Sequence, residues 1–477
     1  MTGLPNVLSN DRVSTDHGGM TMTETRAADA PESPGEVAEP PPRWGVVTLI
    51  GFRLGTCYFG LFGLVIAIGL VPVLLTGVGV QGPWSAVRGL IHLLRPPIEW
   101  VGENLLGLRV EGTQVGSDSA FQWSALYCIA LLSLVATAVW SALDTRQRHD
   151  RLQPWVWTVL RLVLAAAMFY FGTAKLIPTQ MPFVLNRLVE PFGNFSPTGV
   201  LWAQVGISQP YQIMLGAAEV LGGLLLLVPR TAAAGALVCA FDLTQVFILN
   251  MTYDIRLKSV SSQLLLLSLF LLAPYARRLV AAAFTDRVVP ATPSPPLFVG
   301  ARANRAAVAV QVVVGLTLLA AFGGQGWQQF TRPTPNLYGI WQVDGFSAEG
   351  YRRDPLLTDE LRWRRIVFDR PFLMSDPVMV TVQHMDDSFE VFGGTIDPAK
   401  HFVDLTNRVE LGSYEETPTK IRLTYWWPDE GSTERIVIDG ADFSGHEIHA
   451  WFTRLDPASF PLVERGFNWV QERPNNR

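Results

Sequence analysis

From Trp155 to Asp254 the chain is mostly apolar, yet it carries Arg161, Lys175, Glu219 and Asp242 inside runs of helix length. This placement restricts the fold more than any other feature. A charged side chain at the bilayer centre costs roughly 2.5–3.5 kcal/mol on insertion scales, so such groups face a bundle interior, pair with one another or line a path. A membrane all-α helical bundle built around them is the expectation. Composition agrees, with 49% hydrophobic and 17% charged residues, which is more apolar and less charged than a soluble domain. The net charge of -5 is modest and unclustered. No basic stripe meets phosphates, and no nucleic-acid partner is expected. Cys57, Cys128 and Cys239 all fall in apolar runs without a CxxC pair, which argues against a disulfide framework and a thioredoxin-like dithiol.

Residues 1–43 are polar and lack apolar periodicity, as expected of a disordered cytoplasmic tail. This stretch has no signal-peptide pattern, so the first span doubles as the insertion signal. About 20 apolar residues cross the ~30 Å hydrocarbon core. By that measure the spans are Val46–Leu75, Ala120–Leu143, Trp155–Leu176, Tyr211–Val228, Thr231–Thr252, Leu257–Tyr275 and Ala306–Ala321. Between the first two, residues 81–108 alternate Trp and Leu with Arg88, Arg95 and Glu99. This pattern predicts an amphipathic helix on the membrane surface, broken at Pro96-Pro97. Three arginines in 144–151 and five in 277–305 place both loops in the cytoplasm. The amino terminus is then inside, and the loop 178–210 and everything past Gly323 are outside.

Two segments in the apolar region, Tyr170-Phe-Gly-Thr-Ala-Lys175-Leu-Ile-Pro178 and Gly216-Ala-Ala-Glu219-Val-Leu-Gly222-Gly223, carry a family resemblance. With Arg161 ahead of them, they are similar to the DoxX family of bacterial membrane proteins over about 155–275. The resemblance implies a four-helix core in the bacterial inner membrane, linked to sulfur or quinone redox chemistry or to oxidative-stress complexes, with redox proteins as the partners. The chain departs from that family in its extra helices and in its carboxyl-terminal domain.

The last ~150 residues alternate apolar and polar side chains in short runs bounded by Gly, Pro and Asp, which predicts antiparallel strands. Eight candidates centre near Trp341, Ile366, Val380, Val391, Val403, Leu423, Ile436 and Ile448. Eight short strands favour a closed barrel or a sandwich. Gly339-Ile-Trp341 is similar to the Gly-x-Trp opening of lipocalin-type barrels. The expected organisation is thus a tail at 1–43, a transmembrane domain at 44–325 and an extracytoplasmic, lipocalin-like β-domain at 326–477. If that domain binds a ligand, Trp341, Phe368 and Trp426 are its expected aromatic lining.

At 100° per residue, Arg161, Met168, Gly172 and Lys175 share one helical face, and so do Gln212, Gly216, Glu219, Gly222 and Gly223. Asp242, Gln245, Asn250 and Tyr253 form a broad stripe. Three neighbouring helices thus offer polar faces that can meet. Arg53 and Arg161, each roughly 10 Å deep at 1.5 Å per residue, can reach the acids if the helices adjoin. Glu219, Asp242 and Arg161 are the candidate catalytic groups, because two acids at one depth repel and favour proton exchange. Lys175, Gln245, Asn250 and Tyr253 are the candidate cofactor-binding groups. The alternatives are a buried ion-pair network that only fixes helix register and a Lys175 that snorkels to the surface.

No predicted span carries a histidine, so an intramembrane haem is not expected. His446 and His449 have opposite strand parity and make a poor metal pair, and no metal is expected. There is no P-loop, Rossmann or Gly-x-Ser-x-Gly pattern. The leading expectation is a DoxX-like membrane subunit of a redox system, with a quinone meeting the polar cluster. A lipid-binding or transfer protein and a non-catalytic membrane scaffold are the alternatives.

Overall fold

The computed structural model of the protein describes residues 43–77, 82–285, 296–371, 377–406, 419–429, 431 and 433–473. The tail expected over 1–43 lies outside the described residues apart from Arg43, as does most of the proline-rich linker before residue 296. Among the described residues, seven helical stretches are long and apolar enough to cross a membrane. They comprise α1 (Val46–Gly77), α3 (Ala120–Leu143), α4 (Leu152–Leu176), α6 (Gln209–Leu227), α7 (Ala232–Thr252), α8 (Lys258–Leu272) continued by α9 (Ala276–Phe284), and α10 (Ala301–Phe330). The last is longer than its apolar core suggests, because polar turns extend it at both ends.

Two further helices lie between spans. The first, α2 (Pro83–Leu105), runs unbroken through Pro96-Pro97, contrary to expectation. The prolines deprive the carbonyls of His92 and Leu93 of donors, but all four residues lie on the exposed flank, where solvent can satisfy those carbonyls. Arg95 and Glu99 bridge the same turn at 2.5 Å. The second, α5 (Pro197–Ile207), starts where Ser196 Oγ accepts from the Gly199 N–H at 3.0 Å. Ser-Pro is an N-cap signature, which marks a short helix inside the segment 178–210.

Helix α4 is the hub of the bundle. It packs against α1, α6, α8 and α10, and Leu160, Leu164, Met168 and Phe169 are at most 2% exposed. Close approach to α6 requires glycine at two positions. A Cβ on Gly216 would lie 2.3 Å from Leu176 N, and one on Gly172 would lie 2.9 Å from Glu219 Cβ. The outer helices present Leu64, Leu132, Leu134, Phe241 and Val313 outward, as a lipid-facing surface does.

After α10 the chain forms an antiparallel barrel. Its strands are β1 (Gly339–Ala348), β2 (Tyr351–Arg352), β3 (Trp363–Asp369), β4 (Val378–His384), β5 (Phe389–Asp397), β6 (Phe402–Thr406), β7 (Lys420–Trp426), β8 (Arg435–Ala441) and β9 (Glu447–Leu455). Every expected strand centre falls within one of these strands. β1 pairs with β9 to close eight strands, and the two-residue β2 continues the hairpin off β1. Trp341, Phe346, Phe368, Tyr425 and Phe452 pack with the aliphatic residues of alternate positions into one interior core. Trp341 Nε1 donates to the Leu337 carbonyl at 2.9 Å. Trp426 was expected inside but is exposed. Leu423 and Tyr425 share the inward parity of β7, so the intervening and following residues face out.

Strand β4 is buried at nearly every position, which a barrel wall with one wet face would not be. Its outward face, together with those of β1 and β3, is covered by the segment that leaves α4. Leu185 packs with Ile340 and Val367, and the Leu185 N–H donates to Asp369 Oδ2 at 2.6 Å. Gln383 Nε2 donates to the Val189 carbonyl at 3.1 Å. The barrel is thereby fixed to the loop between α4 and α6.

Candidate functional site

The glycine contact between α4 and α6 sets the geometry of the polar cluster. With the backbones this close, Lys175 Nζ reaches Glu219 Oε1 at 2.6 Å, and both side chains are at least nine-tenths buried. Lys175 therefore does not snorkel. Asp242 on α7 lies within electrostatic reach of both Glu219 and Lys175, because α6 packs between α4 and α7. Glu219 Oε2 and Asp242 Oδ2 are buried without a hydrogen-bond partner among the described residues. One cation thus serves two acids, and an acceptor atom on each acid is left open.

These groups line a cavity of about 170 Å³. Its wall is otherwise mostly apolar, with Met168, Phe171, Leu201, Val205, Leu243 and Leu264 among its residues. Six of the seven residues singled out in the sequence meet here: Lys175, Glu219, Asp242, Gln245, Asn250 and Tyr253. Asn250 is partly engaged, since its Nδ2 donates to Ser261 Oγ at 3.0 Å and to the Leu257 carbonyl at 3.2 Å. On the barrel side the cavity is covered by Gln180 and Met181. The Gln212 amide, donating to the Met181 carbonyl and accepting from its N–H, makes both bonds at 3.1 Å. The sequence reading placed Gln212 on the polar face but missed Gln180, Gln204 and Ser261 of the lining, which come from loop, short-helix and α8 positions without an apolar period of their own.

Arg161 does not join the cluster. It is bound to Thr158 Oγ1 at 3.2 Å and to Gln311 Oε1 of α10 at 3.3 Å. A helix face fixes a direction but not the neighbour found there, and α10 occupies that side of α4. Arg53 likewise turns to the loop 144–151 rather than to the acids. It donates to the carbonyls of Asp144 at 2.9 Å and Arg146 at 3.1 Å, and to His149 Nε2 at 3.2 Å. Burial and the adjacent guanidinium hold the His149 imidazole below its ordinary value, which keeps it the acceptor that Arg53 Nε requires.

No protein-family model and no solved structure matches the chain. A stretch of 112 residues, 24% of the chain, is 32% identical to the uncharacterized protein YwoB of Bacillus subtilis (strain 168) and covers 71% of that protein. The chain belongs to the YwoB family. YwoB is itself uncharacterized, so membership brings a relative and no activity. In this YwoB-family chain the shared stretch is about a quarter of the length, and no relationship of the remaining three quarters follows from it.

Proposed function

We propose that this chain is a DoxX-like multi-pass subunit of a redox system in the bacterial inner membrane, with its barrel on the extracytoplasmic side. In this reading the Lys175–Glu219–Asp242 cavity receives the head of a quinone, and the barrel contacts a redox partner protein. The supporting observation is the pair of open carboxylate oxygens, Glu219 Oε2 and Asp242 Oδ2, beside a single ammonium at the wall of an apolar cavity. A buried network of that kind is costly unless another group completes it. The cavity volume of about 170 Å³ suits one six-membered ring, since a dry cavity of ~150 Å³ accepts benzene. A quinone, when bound, supplies reversible electron and proton transfer. Lys175 Nζ is the donor available to a carbonyl of the oxidised ring, whereas the open carboxylate oxygens are acceptors that match the hydroxyls of the reduced ring, and the two carboxyls hold or release the protons.

Lipid binding inside the barrel is the weaker alternative, because side chains fill the interior. Mass spectrometry of small molecules co-extracted with the purified full chain tests the proposal. Co-purifying quinone supports it. A different lipid as the stoichiometric ligand overturns the redox reading in favour of lipid binding, and the absence of any ligand favours a scaffold.

A further inference from the structure

Among the described side chains that line the cavity, only Gln204, Tyr211 and Gln245 are exposed. They belong to α5, α6 and α7, three helices that follow one another, and α6 packs against both others. Gln245 lies seven residues before the barrel-side end of α7 at Thr252, roughly 10 Å below that end at 1.5 Å per residue. The large apolar residues exposed around it are Phe241 and Ile248 on the same helix, 79% and 53% exposed, and Met214 on α6, 65% exposed, with the exposed Thr244 beside Gln245. The opening therefore runs from Gln204 and Tyr211, at the barrel-side end of α6, down to Gln245, and its lower part is set in a lipid-facing apolar band. A primary amide is costly on such a surface unless it serves whatever passes there. The barrel side is closed instead, by Met181, Leu201, Val205 and Ile255, each at most 7% exposed.

We infer that the cavity is entered sideways from the bilayer, between α5, α6 and α7, by a membrane-dissolved molecule with a ring-sized polar head and an apolar tail. This rests on the reading of the cavity as a binding site and adds the route of entry. About 170 Å³ holds the head alone, so the tail stays in the lipid, past Tyr211 and Gln245. Tyr211 suits the rim, because an amphipathic ring sits well at the membrane interface.

The test uses the full chain in lipid nanodiscs and two photoreactive probes, a phenyl diazirine bearing a decyl chain and the same ring bearing a sulfonate, with adducts mapped by mass spectrometry. The decyl probe is expected to label the cavity wall at Met168 or Leu264, and the sulfonate probe is not. Gln245→Trp and, independently, Gln204→Trp should abolish the cavity adducts while Phe241 and Met214 remain labelled, which certifies a folded protein in the bilayer. Cavity labelling by the sulfonate probe, no cavity labelling of the unsubstituted chain, or labelling undiminished in both tryptophan variants overturns the lateral route. The probe needs no polar contact. An intact labelling pattern in a protein that retains no quinone therefore refutes the quinone site and leaves the portal standing. Quinone retention without the labelling pattern does the reverse.

Discussion

Replacing Gly216 with alanine addresses the contact from which the site is built. The added Cβ would lie 2.3 Å from Leu176 N, 2.6 Å from the Gly172 carbonyl oxygen and 2.8 Å from the Lys175 carbonyl carbon. All three are backbone atoms, so no side chain can rotate away. Restoring ordinary contact at 3.4 Å or more forces α4 and α6 apart by about 1 Å. Overpacking of this kind costs about 1–3 kcal/mol, and a purely backbone obstacle places Gly216→Ala at the upper end. The same displacement stretches the 2.6 Å Lys175–Glu219 bond beyond the hydrogen-bonding range, so ligand retention should fall with stability. Gly60→Ala is the control. Nothing lies within 4 Å of its added Cβ, and alanine improves on glycine in a helix by about 1 kcal/mol. Denaturant unfolding in mixed micelles should rank Gly60→Ala at or above the unsubstituted chain and Gly216→Ala well below it. Equal stability of the two variants would refute the close-contact argument.

Burial pushes the Asp369 carboxyl up to about 6, even though the Leu185 and Arg370 N–H groups oppose the shift. The raised folded-state value means that stability is greatest below the unfolded value near 4 and declines as pH rises through about 6, by roughly 3 kcal/mol in all. Asp369→Asn should remove that slope from urea unfolding of the full chain between pH 4 and 7, and an unchanged slope would assign it elsewhere. The fragment 334–477 should fold alone, because a core closed by β1–β9 pairing needs no helix to complete it; a disordered circular dichroism spectrum would contradict this. Reporter fusions after Phe284 and after Arg332 should report opposite compartments, since α10 spans the membrane between them, and matching signals would remove that span.

The spans and strands were legible because lipid and a barrel wall impose simple periods. Ala120–Leu143 matches its helix residue for residue, and an apolar run of that length has few other destinations. Pairing across helices was much less legible. Arg161 and Glu219 carry complementary charges at plausible depths, but Gln311 takes the arginine and Lys175 takes the acid. Deciding between them requires knowing that Gly172 and Gly216 face each other, and a single chain's periodicity does not record that. Trp426 was a different kind of miss, because the parity of Leu423 and Tyr425 already excluded it from the interior. The docking of Leu185 and Val189 onto β3 and β4 had no local signal, since it joins residues nearly two hundred positions apart.

In the proposed function Lys175, Glu219 and Asp242, and not Arg161, hold the ligand. The deciding quantity is the quinone retained per mole of purified chain, measured by extraction and mass spectrometry for Glu219→Gln and Arg161→Met alongside the unsubstituted protein. Glu219→Gln removes the carboxylate paired with Lys175 and should insert normally, because it takes a charge out of the membrane. Retention should be lost in Glu219→Gln and kept in Arg161→Met. Retention kept in Glu219→Gln, or lost equally in both variants, would remove the carboxylate cluster as the binding site.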